Sequence, residues 1–251
     1  MTSSLIVLSL AFGLITGLAG WLFYRAAHRS ARVLGWLLAF LVLQGAAALA
    51  GFFLKTDAFP PRTALLLGPP LLGIGLLFAT ARGRRFLAGL RPDQLTLLHV
   101  VRVPVELTLL GLYLLGSVPR LMTFEGRNWD ILAGLSAPLV YYFAFRRPRW
   151  GRTALRAWNV LGLATLLNII VNAVLAIPGP LQQWGFEQPN VAVLQFPFVW
   201  LPGVVVPLVL LAHLTVLWQL RAGAVAVSAT AAAGAGPAAA TTTRPAIAAL
   251  L

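Results

Sequence analysis

Ser4-Leu-Ile-Val-Leu-Ser-Leu-Ala-Phe-Gly-Leu-Ile-Thr-Gly-Leu-Ala-Gly-Trp-Leu-Phe-Tyr24 carries no charge, and Arg25, Arg29 and Arg32 follow it. An apolar run of about 20 residues is long enough to cross the hydrocarbon core of a bilayer as a helix. A cleaved signal peptide has its basic residues before the apolar run, whereas Met1-Thr-Ser-Ser4 has none. Because Arg and Lys collect on the cytoplasmic side of a membrane, the stretch reads as an uncleaved first span with its N-terminus outside.

Six more apolar runs follow: Val33–Leu54, Thr63–Ala81, Gln94–Val118, Trp129–Phe145, Leu155–Ile177 and Phe198–Leu220. The loops between them alternate in charge. One face collects Arg25, Arg29, Arg32, Arg82, Arg84, Arg85, Arg91, Arg146, Arg147, Arg149, Arg152, Arg156 and Arg221. The other has only Lys55, Arg62, Arg120 and Arg127. One span more or fewer would spoil this alternation. The expectation is an all-α, polytopic membrane protein: a bundle of seven transmembrane helices over residues 1–221, with the C-terminus in the cytoplasm. Residues 222–251 are rich in Ala, Thr, Gly and Pro and lack the large side chains a core requires, so they read as a disordered cytoplasmic tail.

Composition agrees. Of the residues, 59% are hydrophobic and 10% charged, against about a quarter charged in a soluble domain. The net charge of +13 lies in short loops and not along one contiguous face, which argues against nucleic acid and for anionic lipid headgroups at the Arg clusters. The absence of cysteine excludes disulfides, zinc–thiolate sites and cysteine nucleophiles. Basic residues that are nearly all Arg, together with high Ala content, suggest a GC-rich genome and a bacterial cytoplasmic membrane.

Prolines mark breaks. Pro69-Pro70, Pro104, Pro138, Pro202 and Pro207 fall inside predicted spans, where each removes a ladder hydrogen bond. Such helices persist in lipid where neighbours or a cavity satisfy the freed carbonyls. The segment Val191–Trp200 reads either as an interfacial aromatic belt or as a re-entrant stretch leading into the last span.

The fourth span carries the chemistry. His99, Arg102 and Glu106, spaced by three and four residues, form one stripe on a helix face, and Tyr113 extends it. Apart from Asp130, the second residue of the fifth run, Glu106 is the only acid inside any of the seven runs. An intramembrane charge is costly unless paired or hydrated, so the stripe must face the bundle interior. It either braces the bundle, with Arg102 and Glu106 neutralising each other, or forms a proton, ion or solute site. Asn168 and Asn172 share a face of the sixth span, as interhelical glue or as the outer lining of the same cavity. Asn159 falls on another face and reads as interfacial. In the outer loop, Glu125, Arg127, Asn128 and Asp130 read as a binding mouth, or as caps in which Asn128 or Asp130 starts the fifth span. His28 lies in a basic loop and reads as solvated.

His99 and His213 fall at similar depth, which would permit bis-histidine haem ligation; no other cofactor is expected. The topology resembles that of microbial rhodopsins, but their retinal linkage needs a Lys in the last span, and the single Lys here is Lys55 in a loop. Membrane hydrolases of the ceramidase type use more histidines than this chain offers. No nucleophile–base pair is visible, so the sequence does not point to an enzyme. The functional expectation is a protein that binds or moves a small solute or ion, with proton coupling through Glu106 and with Arg102 as counter-charge or anion anchor. The alternatives are a haem-binding redox subunit, or a structural subunit whose outer loops dock a protein partner.

Overall fold

The computed structural model describes residues 3–56, 61–147 and 149–223. The expected disordered tail therefore lies, from residue 224 on, outside the described residues. Those residues form helices and no strands. In chain order they are α1 (Ser3–Ala26), α2 (Ala31–Leu49), α3 (Ala64–Ala79), α4 (Ala81–Gly89), α5 (Pro92–Leu98), α6 (Arg102–Leu114), α7 (Asp130–Tyr141), α8 (Arg152–Leu175) and α9 (Val206–Arg221).

Five helical stretches are long and apolar enough to cross a membrane: Ser3–Ala26, Ala31–Leu49, Pro92–Leu114, Arg152–Leu175 and Leu201–Arg221. A sixth is reached if α3 and α4, bent by 94° at their junction, count as one span. The two expected spans that fall short are the third and the fifth. Each is a short helix that changes direction or winding before it gains length.

Each irregularity has a local cause, and one differs from expectation. Helix α3 runs unbroken through Pro69 and Pro70; the break comes later, at Thr80. The Thr80 backbone is extended, its hydroxyl donates to the Leu76 carbonyl at 2.9 Å, and it accepts from the Gly83 backbone at 3.1 Å. One side chain thus ends α3 and caps α4. Pro104, the third residue of α6, cannot donate back to the turn before it. The turn before it tightens into a 3-10 segment over His99–Val101. Wide π turns follow α7, at Tyr142–Arg146, and precede α9, at Leu201–Val205.

Burial separates centre from rim. The most apolar windows of Pro92–Leu114 and Leu201–Arg221 are 61% and 67% buried, against 17–28% for the other three long helices. The α5–α6 rod and α9 are therefore the core of the bundle, and α1, α2 and α8 surround them with one face turned outward. The Val191–Trp200 stretch is drawn inward: residues Ala192 to Leu194 and Pro197 to Val199 are buried, and Phe198 packs on Phe12 with ring centroids 5.5 Å apart. As an aromatic belt it is incomplete, since only Phe196 is well exposed.

Candidate functional site

Arg102 opens α6 directly after the 3-10 turn, pointing into the space between α7, α8 and α9. It is 3% exposed and meets all three helices. Its Nε donates to Asp130 Oδ2 at 2.7 Å, and its Nη2 donates to Asp130 Oδ1, making a two-pronged pair with the first residue of α7. Nη2 also donates to the Gly162 carbonyl of α8 at 3.0 Å. Nη1 donates to His213 Nε2 of α9 at 3.1 Å. The planar fork of a guanidinium suits this simultaneous grip.

These contacts correct two expectations. Arg102 does not neutralise Glu106, and it is not a free anion anchor, because Asp130 occupies it. Asp130 is not an outer-mouth residue: it is buried inside the bundle. Two close approaches bring the partners together. A Cβ on Gly134, one turn past Asp130, would lie 2.9 Å from the backbone nitrogen of Val103 and 3.1 Å from Arg102 Cβ. A Cβ on Gly162 would lie 2.6 Å from His213 Cε1 and 2.9 Å from its Nε2. Both glycines let a helix backbone come up to the cluster.

The hydrogen bonds define the His213 tautomer. Asn159 Nδ2 donates to the Leu155 carbonyl at 2.9 Å, leaving its Oδ1 to accept from His213 Nδ1 at 3.0 Å. His213 Nε2 then presents a lone pair to Arg102. Asn159, expected at the interface, is fully buried. It belongs to the inward stripe of α8 that also holds Leu155, Gly162, Leu166 and Ile169.

His99 and His213, predicted at matched depth, do meet. Their rings stack with centroids 3.8 Å apart and an interplanar angle of 26°, and Trp158 packs edge-on against His99. Both His99 ring nitrogens lack a partner among the described residues. An iron held by two axial imidazoles needs them on opposite faces of a flat macrocycle. Stacked rings leave no room for one, so these two residues do not fit haem.

Glu106, one turn beyond Arg102, takes a different partner. Its Oε1 accepts from Asn128 Nδ2, which also donates to the Met122 carbonyl at 3.0 Å. Asn128 Oδ1 accepts from the Asp130 backbone at 3.1 Å. Of the two residues expected to start the fifth span, Asp130 is the first of α7 and Asn128 accepts from its backbone while reaching Glu106 as well. The other carboxyl oxygen, Oε2, is buried with no partner among the described residues. Glu106 and Asp130 both line a cavity of about 70 Å³ whose other walls are apolar except for Asn190. Asn190 donates through Nδ2 to the Ala173 carbonyl at 3.1 Å, while its Oδ1 has no described partner. A water needs roughly 10–15 Å³ of such space, so the cavity holds a few waters or one small ion with its shell.

The remaining candidates lie apart. Asn168 Nδ2 donates to the Arg127 carbonyl at 2.7 Å, and Asn172 Nδ2 donates to Asn168 Oδ1 at 3.1 Å. The pair ties α8 to the loop before α7 and does not line the cavity. Glu125 and Arg127 are exposed, so of the proposed mouth only Asn128 and Asp130 join the buried cluster. His28 is exposed as expected, with Nε2 2.8 Å from the Gly89 carbonyl. Asn190 was not singled out, and no local pattern marks it.

Crowding the cluster tests its construction. Gly162→Ala pushes a methyl into the His213 ring, and it is expected to lower stability by about 1–3 kcal/mol, the usual cost of overpacking. Thermal unfolding in detergent measures this. Gly13→Ala, whose Cβ meets nothing within 4 Å, is the control expected to be neutral.

Residues 60–221 match the family described as Domain of unknown function (DUF8737). The matched region begins after α2 and contains every residue of the buried cluster. No curated protein and no solved structure matches the chain.

Proposed function

The chain belongs to the DUF8737 family, and we propose that it is a seven-span protein of the cytoplasmic membrane, N-terminus outside, that binds and moves a proton or small cation through the Glu106 cavity. The observation that carries this reading is a mismatch of charge and hydrogen bonding. Two buried carboxyl groups, Asp130 and Glu106, share one buried cation, Arg102, and Asp130 takes it. The unpartnered polar atoms of the cavity, Glu106 Oε2 and Asn190 Oδ1, are both acceptors. A ligand that completes the site must bring positive charge or donor hydrogens. Protons, sodium, ammonium and small amines meet that requirement, and anions do not.

The bent α3–α4 pair and the short α7 supply the third and fifth crossings in this reading, and loop charge sets the direction. Glu106 gains and loses a proton, or exchanges it for the cation. Arg102 holds Asp130 and His213 in place and does not touch the cargo.

The test uses the purified full chain in liposomes containing a pH-sensitive dye. Outward gradients of sodium, potassium or ammonium are expected to change internal pH about tenfold faster than in empty liposomes for at least one cation, a difference of roughly 1.4 kcal/mol in barrier. Glu106→Gln keeps the shape and the Asn128 contact but removes the exchangeable charge, and it is expected to fall to the empty-liposome rate. A wild-type chain indistinguishable from empty liposomes for all three cations, or a Glu106→Gln variant as active as wild type, ends the proposal.

A further inference from the structure

A second hollow, of about 920 Å³, lies between α2, α3, α4 and the start of α9, away from the Arg102 cluster. Its walls include Trp36, Phe40, Ile74, Phe86 and Leu208, and at one end stand Thr80 and Arg82. Protein interiors leave few voids larger than a water, and apolar cavities stay dry. A hollow of this size in lipid is therefore filled with hydrocarbon. Access is from the side, along α2, where Trp36 is 79% exposed. The wall formed by α3 from Pro69 to Thr80 is about 16 Å long at 1.5 Å per residue, which accommodates most of an acyl chain.

Charge says which end holds the headgroup. The 94° bend turns α4 across the end of the groove; Gly83 and Leu87 are buried, while Arg82 and Arg85 are exposed. Arg84 is committed to its own chain, donating to the carbonyls of Phe78 and Ala79 at 3.1 and 2.9 Å. Of the six acids in the sequence, Asp93 alone closely follows the basic run Arg82–Arg91, in the first turn of α5, and Arg91 holds it at 2.8 Å. Among the described residues no carboxylate pairs with Arg82.

We propose that the groove is a binding site for one anionic phospholipid of the surrounding leaflet, with its phosphate on Arg82 and an acyl chain along α3. The site takes a single lipid in a fixed place, in contrast to the diffuse attraction of a basic loop to a charged surface. It does not rest on the transport reading, since none of its residues belongs to the Glu106 cluster.

The full chain is placed in nanodiscs of phosphatidylcholine doped with a trace of phosphatidylglycerol or phosphatidylcholine bearing a photoactivatable acyl chain, and crosslinks are mapped by mass spectrometry. Labelling is expected to concentrate at Ile74, Phe86 and Leu208, with phosphatidylglycerol favoured about fivefold, the usual effect of one interfacial arginine. Arg82→Gln is expected to erase that preference while chain labelling persists. Gly73 lines the groove, and a Cβ there meets nothing within 4 Å. Gly73→Phe is therefore expected to fill the groove and move labelling to the outer surface with no loss of thermal stability. Glu106→Gln is expected to label as wild type. Labelling of wild type spread evenly onto exposed residues such as Leu10 and Leu161, or equal labelling by the two headgroups, overturns the proposal whatever the variants do.

Discussion

Arg102→Met is expected to cost about 3–5 kcal/mol of stability, the loss typical of breaking a buried ion pair from one side. Met fills most of the volume, so the damage comes from Asp130, left charged and buried with no cation. His213 Nε2 and the Gly162 carbonyl lose a donor in the same step. A fall of apparent melting temperature on the order of 10 °C follows for a chain of this size. Combining Arg102→Met with Asp130→Leu is expected to recover most of the loss, because an apolar replacement for both partners removes the uncompensated charge. Thermal unfolding followed by size exclusion reads both effects. A single variant within 1 kcal/mol of wild type, or a double variant no better than the single, would show that the pair does not organise the bundle.

Asn128→Ala is expected to be the second most damaging substitution. Three hydrogen bonds meet in this side chain: to Glu106, to the Met122 carbonyl and from the Asp130 backbone. All are buried, and each group left unsatisfied costs about 1–3 kcal/mol. A combined loss of about 3 kcal/mol is the expected outcome, and Glu106 should account for much of it. Adding Glu106→Leu to Asn128→Ala should therefore restore part of the stability, with a coupling of about 1–3 kcal/mol between the two sites. Purely additive losses in that cycle would mean that Asn128 serves only the N-terminus of α7.

Hydropathy made the long helices legible: Ser3–Ala26, Ala31–Leu49, Pro92–Leu114, Arg152–Leu175 and Leu201–Arg221 fall on predicted runs, whereas the third and fifth runs hold helices too short to cross alone. The core of the site was half legible. Residues spaced three and four apart on one helix must share a face, so His99, Arg102 and Glu106 were found together. The depth of His213, counted from the basic end, placed it opposite His99. The partners were not legible. Asp130 follows Glu125, Arg127 and Asn128, and an acid at the start of a helix ordinarily serves the helix end. Only the inward fold of the preceding loop, with Met122, Thr123 and Asn128 buried, carries Asp130 into the bundle, and that is a tertiary fact with no periodic signature. Asn159 was assigned to the interface from its place near the end of its span, when its membership of the Leu155, Gly162, Leu166 stripe was the better guide. Pro69-Pro70 was misleading for the opposite reason. A proline is a strong local signal, yet α3 tolerates both and breaks at Thr80, where a hydroxyl offers the backbone an alternative ending.

The bidentate pairing of Arg102 with Asp130 also constrains how the protein can be made. Arg102, midway along Pro92–Leu114, alone adds about 2.5–3.5 kcal/mol to the insertion of its helix, and Asp130, at the end of α7, adds a smaller cost of the same sign. In the proposed seven-span arrangement α7 is a crossing of only twelve helical residues, with little apolar length to offset that penalty. Released singly from the translocation machinery, it would slip back out. Paired, the two charges enter as one neutral unit, so α6 and α7 should leave the ribosome-bound channel together as a hairpin, with α7 waiting on α6 and not the reverse.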